Sequence, residues 1–284
     1  MRNTMKTTVL LAGLGGLLVL IGSMWGRGGA VIGLVLGLVM VGASYWFSDK
    51  IAIKAAGAVP VTEAQMPEYY AVVRDLAQRM EIPMPALYVS PEAQPNAFAT
   101  GRNPQHAAVA VTQGILQVLE WDELRGVLAH EMGHVGNRDI LISSVAAAVA
   151  MGITFMARMA MWGSMFTGGG GRDRNGGNVI GLLAMSVLAP IAAGLLQMAL
   201  SRSREYEADR TGARVIGDGE PLARALIKIE NYAHQVPMDI DPAHAQAFII
   251  NPLSGRKVQF ANLFRTHPPT ADRVARLRGG EWRN

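Results

Sequence analysis

Ala129-His130-Glu131-Met132-Gly133-His134 carries two histidines four residues apart, with a glutamate directly after the first. On an α-helix of 3.6 residues per turn the two histidines stand one above the other on a single face, so both imidazoles can reach one metal ion. Glu131 is rotated away from that line. It lies beside the ion rather than on it, where a carboxylate can take a proton from a water in an open coordination position. With six His and twelve Glu in 284 residues, the pattern arises by chance in roughly one chain in two hundred, so coincidence in a core helix is a weak account. Leu124, Val127, Leu128, Met132 and Val135 form an apolar stripe at helical spacing that the histidines border. One side of the expected helix faces a core, and the adjoining side faces a site of the zinc-protease type.

Two histidines and a water leave a tetrahedral zinc one protein ligand short. The best candidate for the third is Glu205, in Ser201-Arg202-Ser203-Arg204-Glu205-Tyr206-Glu207-Ala208-Asp209. On a helix Glu205 and Asp209 share a face and Glu207 does not. That spacing suggests Glu205 on the metal and Asp209 behind it, holding the outer nitrogen of a ligating histidine. By spacing alone, a solvated charged helix end remains open as well.

Together with Thr266-His267-Pro268-Pro269-Thr270-Ala271-Asp272-Arg273 and Gln94-Pro95-Asn96-Ala97-Phe98-Ala99-Thr100-Gly101, these segments resemble the M48 metallopeptidases, and within them the membrane-bound heat-shock branch of bacteria. The resemblance covers most of the chain, with three motifs in the family's order. It implies one Zn2+ per chain held by His130, His134 and Glu205, with Glu131 as general base and Asp209 supporting a ligand. It further implies His267 as a hydrogen-bond donor to the oxyanion, Arg273 as a partner of Glu205 or Asp209, and Asn96, Ala97, Phe98 and Ala99 as a substrate-binding edge.

Half of the chain is hydrophobic and its mean hydropathy is +0.20, too apolar for a typical soluble enzyme. Thr7 to Trp25 and Ala30 to Phe47 are uncharged runs near the length that crosses about 30 Å of hydrocarbon, and read as a helical hairpin turning at Gly26-Arg27-Gly28-Gly29. A cleaved signal peptide fits poorly, because a second apolar run follows almost at once. Ile140 to Phe166 and Val179 to Leu200 flank a Gly-rich stretch, residues 168–177. They favour a second spanning pair. Arg158 interrupts the first of them, which keeps a buried hairpin inside the catalytic domain as the alternative.

If every run spans, Arg2, Lys6, Lys50, Lys54, Arg138, Arg202 and Arg204 fall on one side, against Arg27, Arg172 and Arg174 on the other. The positive-inside rule then places both termini and the metal site in the cytoplasm. Membrane-flanking basic residues account for much of the net charge of +4 without nucleic acid, and no nucleic-acid motif is present. With no cysteine, metal ligands are limited to nitrogen and oxygen.

Between the hairpins, Pro67 to Met80 suits a helix with Pro67 in its first turn. Ala86 to Ser90 and Ala107 to Thr112 read as short strands, with Phe98 on an edge strand between them. A substrate peptide could add to such an edge through its backbone.

The expected fold is α+β and mostly helical: a zincin-like metalloprotease domain with a small β-sheet, fused to transmembrane helices. Its expected division is 1–50 (transmembrane hairpin), 51–139 (first part of the protease domain), 140–200 (second membrane hairpin) and 201–284 (second part). The resemblance implies a multi-pass protease of the bacterial inner membrane acting on unfolded or misfolded membrane proteins, alongside other quality-control proteases. The alternative from another class is a non-catalytic, zinc-stabilised membrane adaptor or stress sensor. His106, His234 and His244 read as surface or loop residues.

Overall fold

A computed structural model describes residues 26–141, 202–235 and 268–283, with the isolated helical positions Ala12, Gly16, Val19 and Ser23. Helix α1, Gly26–Trp46, precedes a short α2, Ser48–Ala55. The residues expected to form a hairpin turn are thus a first helical turn. They do not form the expected turn because, of the four, Gly26 alone takes the left-handed conformation, with φ +80, which leaves Arg27, Gly28 and Gly29 free to join the helix. Among the described residues no helix is long and apolar enough to cross a membrane. Nearly all of the runs 7–25, 140–166 and 179–200, and the whole Gly-rich stretch, lie outside those residues.

The sheet contains β1 (Val59–Pro60), β2 (Ala86–Ser90), β3 (Ala97–Gly101) and β4 (Ala107–Thr112), in the order β1-β2-β4-β3. β2 and β4 are parallel, and the other two pairings are antiparallel. All six residues of β4 are buried, as expected of an uninterrupted small and β-branched run covered on both faces. β3 lies at one edge of the sheet, with Phe98 opposite Ala110 and Ala99 opposite Val109.

Helix α3, Pro67–Arg79, begins with Pro67 in its first turn and buries Tyr69, Val73, Leu76 and Ala77. The Tyr69 hydroxyl donates to the carbonyl of Val109 in the central strand at 3.2 Å. Thr112 ends β4 and caps α4, Gln113–Val118, by accepting from the Ile115 amide. Helix α5, Trp121–Gly136, opens on a capping box between Glu120 and Glu123, which satisfies two otherwise orphaned amides. Its expected apolar stripe is buried in full.

α5 packs most closely against α6, Arg202–Ile216, and α7, Glu220–Gln235, while α8, Thr270–Arg278, closes over α6 and α7. Glycines set the distance between backbones. A Cβ on Gly212 of α6 would lie 2.9 Å from the carbonyl carbon of Ala129 and from the amide nitrogen of His130. A Cβ on Gly126 would lie 2.5 Å from the amide nitrogen of Leu222. Leu124, Leu128, Leu222, Leu226 and Ile229 fill the core beside this close approach.

Candidate active site

Helices α5 and α6 bring their chemistry together where they cross. Nε2 of His130 lies 3.7 Å and Nε2 of His134 lies 3.6 Å from the two carboxylate oxygens of Glu205. The candidate ligand atoms of all three residues lie within 4.8 Å of one another. Donors about 2.0–2.1 Å from a tetrahedral zinc stand roughly 3.3 Å apart, so two nitrogens and an oxygen at these separations fit that ion with small adjustments. The imidazoles are nearly perpendicular, with centroids 4.8 Å apart.

Each imidazole has a carboxylate behind it. Asp209 Oδ1 lies 2.8 Å from His130 Nδ1, and both oxygens of Asp139 lie 3.2 Å from His134 Nδ1. A proton on Nδ1 donated to the carboxylate leaves the Nε2 lone pair for a metal. The buried Arg273 of α8 clamps Asp209 with hydrogen bonds of 2.8 and 2.6 Å. Burial would raise the Asp209 carboxyl, but the Arg273 guanidinium and His130 outweigh it and lower the group to about 2. The same balance at His134, burial against the charges of Asp139, Glu205 and Glu131, drives that imidazole up to about 10.

Glu131 is buried and points toward the sheet, where its Oε2 accepts from the Ala99 amide of β3 at 3.0 Å. Burial raises its carboxyl above the ordinary range, against the pull of both histidines, while Glu205 adds to the rise. A carboxylate shifted in this direction suits a group that accepts and then returns a proton near neutral pH.

Of the sequence candidates, His130, Glu131, His134, Glu205, Asp209 and Arg273 converge, and Arg273 binds Asp209. Ala97, Phe98 and Ala99 lie on the edge strand, while Asn96 is buried just before it, its amide donating to Thr112 Oγ1. His267 lies outside the described residues. Arg276 of α8 stacks over Tyr206 with its guanidinium 4.0 Å from the ring centroid. Asp139 was missed by sequence reasoning. It lies five residues beyond His134, too far to share its helix face, and returns to that histidine only because Arg138 turns the chain at φ 57. In sequence Arg204 is simply a membrane-flanking charge. It is buried beside Glu205, both of its terminal nitrogens lack a hydrogen-bond partner among the described residues, and burial lowers its pKa against the charges of Asp139 and Glu205.

Residues 63–281 match the profile of Peptidase family M48. The chain is 52% identical over 284 residues to a protein named Protease HtpX homolog from Syntrophobacter fumaroxidans, covering 98% of this chain and 99% of that one. Proteins of the same name from Desulforapulum autotrophicum and Pelotomaculum thermopropionicum are 51% and 48% identical. They cover 99% and 97% of this chain and 91% and 98% of their own. Among solved structures, the crystal structure of S. mikatae Ste24p is similar in fold, with a TM-score of 0.52 at 19% identity. That likeness covers 97% of this chain, which spans 65% of the Ste24p chain.

Proposed function

The chain belongs to peptidase family M48, with protease HtpX homologues as near full-length relatives, and from that premise we propose a zinc-dependent endopeptidase of the bacterial inner membrane. Its proposed substrates are misfolded or damaged membrane proteins. The observation that carries this reading is the convergence of His130, His134 and Glu205 with Glu131 held between that cluster and an edge strand.

His130, His134 and Glu205 would hold the ion, which supplies Lewis acidity for a peptide carbonyl and for an attacking water. The protein's own groups perform the remaining steps. Asp209 and Asp139 fix the ring orientation and tautomer of the two histidines. Arg273 keeps Asp209 ionised. The substrate backbone pairs with β3, which lays its scissile carbonyl alongside α5. Glu131 takes the proton from the attacking water as the new C–O bond forms, then delivers it to the departing nitrogen as the C–N bond breaks. His267 donates a hydrogen bond to the oxyanion in between.

Membrane attachment is supported by α1, whose Val31, Ile32, Leu34, Val35, Leu38 and Val39 are each about half or more exposed. With the Lys/Arg bias of the sequence, we place the catalytic groups and both termini on the cytoplasmic side of a multi-pass protein.

The test compares cleavage of an unfolded protein by detergent-purified wild type and Glu131→Ala, with zinc measured in both. Cleavage by the wild type alone at equal zinc is the expected result, as is loss of self-cleavage when a chelator is present during purification. Zinc in both with cleavage in neither would replace the protease reading with a zinc-stabilised membrane adaptor.

A further inference from the structure

The C-terminal end of α1 gathers a second chemistry, on residues other than those of the candidate metal cluster. Tyr45, Trp46 and Phe47 follow the apolar stretch of the helix, and Lys50 and Lys54 follow them in α2. Trp46 is 57% exposed and Phe47 49%. Trp46 stacks edge-on with Tyr45 at 5.5 Å. The guanidinium of Arg102, one residue beyond β3, lies 4.8 Å from the centroid of Trp46 and donates to its carbonyl at 3.4 Å. The Lys50 ammonium stands 5.6 Å from the Phe47 centroid. No carboxylate pairs with Lys50, Lys54 or Arg102 among the described residues. Asp49 precedes Lys50 in α2 but forms no ion pair with it. Exposed aromatic rings carrying cations with no ion-paired carboxylate among the described residues, at the end of a helix that exposes Val31, Leu34 and Leu38, present the two halves of a phospholipid's surface in order: apolar chain contacts, then positive charge.

We propose that Trp46, Phe47, Lys50 and Arg102 form a headgroup site for an anionic phospholipid. The rings lie at the level of the glycerol and upper acyl chains, and the two cations meet the lipid phosphate. Arg102 retains further N–H donors beyond the one given to Trp46. A free anion in solution has no use for the exposed rings or the apolar helix face beneath them, and a neutral lipid gives the net charge nothing to balance. Because Arg102 directly follows Gly101, the last residue of β3, a lipid held here also holds the edge strand near the bilayer surface. The inference rests on the membrane attachment proposed above.

The experiment uses the full chain in vesicles of phosphatidylcholine, with either brominated phosphatidylcholine or brominated phosphatidylglycerol as the quenching lipid at equal bromine content. The contribution of Trp46 is isolated by subtracting the quenching of Trp46→Phe. The expected result is at least twofold stronger quenching of Trp46 by the anionic lipid, with the preference lost in the Lys50→Gln, Arg102→Gln double variant. Equal quenching by the two lipids, or a preference that survives in the double variant, overturns the headgroup site and leaves membrane attachment standing. Absence of quenching by either lipid overturns the attachment of this helix end, and the site with it.

Discussion

Gly212→Ala isolates what the crossing of α5 and α6 does for the metal cluster. The added Cβ would lie 2.9 Å from the backbone at Ala129 and His130 and 3.1 Å from the Ala129 carbonyl oxygen. Backbone cannot swing away as a side-chain tip can, so restoring ordinary contact near 3.4 Å moves one helix about 0.5 Å from the other. That movement falls at His130 and three positions from Asp209, whereas a working site is held to within about 0.5 Å. Alanine gains about 1 kcal/mol over glycine as a helix residue, and overpacking costs about 1–3 kcal/mol. The net change in folding stability is therefore a loss of about 0–2 kcal/mol, small enough for a folded protein. Zinc affinity falls further than this suggests, because the two helices carrying the ligands are pushed apart; we expect about tenfold or more, in the range seen when ligand-supporting contacts are lost. Gly136→Ala is the control. It sits in the last turn of α5, where an added Cβ would have nothing within 4 Å among the described residues, and should be neutral or stabilising with zinc affinity intact. Competition against a calibrated chelator, with thermal unfolding of the same samples, reads both quantities. A Gly212→Ala protein binding zinc within twofold of wild type would refute the claim that this backbone contact sets the cluster.

Asp139→Asn and Asp209→Asn should each weaken zinc binding by about 10–100-fold, since each carboxylate orients one ligating histidine; chelator competition on the purified variants checks this, and an unchanged Asp139→Asn would remove that residue from the site. Replacing Arg273 with Ala leaves the buried Asp209 carboxylate with only the His130 imidazole beside it and should destabilise the fold by about 3–5 kcal/mol, whereas Asp209→Asn with Arg273→Met should recover part of that loss in denaturant titrations. The Asp209 carboxyl is depressed in the folded protein, from 3.8 to about 2, so its stabilisation is present in full above the unfolded value and disappears as pH falls through that interval. Asp209→Asn should accordingly flatten the stability profile of the metal-free protein between about pH 4 and 2, and an unchanged slope would count against the ion pair.

Much of the candidate site was legible because its information is local or strictly periodic. His130 and His134 share a face by helical geometry alone, and Glu205 and Asp209 do so for the same reason. The strands Ala86–Ser90 and Ala107–Thr112 coincide with the expected runs, since prolines and glycines bound short β-rich stretches there. What could not be read depends on three-dimensional closure. Asp139 reaches His134 through one left-handed residue that carries no sequence signature, Arg138. The bond between Ala99 and Glu131 depends on how β3 is registered against β4 and how α5 lies across it. Gly126 and Gly212 read in sequence as weak points of helices, and only the crossing partners reveal them as contact points. At Gly26–Gly29 three glycines around an arginine suggest a turn, yet only Gly26 has a positive φ and Arg27, Gly28 and Gly29 lie in the helix.

The amide of Ala99 and the carboxylate of Glu131 also guard one another. An open strand at the margin of a sheet is a template for any extended chain that drifts past, including a second unfolded copy of the same protein. Here one donor of that margin is already occupied, at 3.0 Å, by a buried acid. A passing peptide must therefore evict the acid before it can zip along the strand, and a segment too short or too stiff to do so diffuses away. On the proposed reading, the side chain that shields this donor at rest is the one that a committed guest would set free.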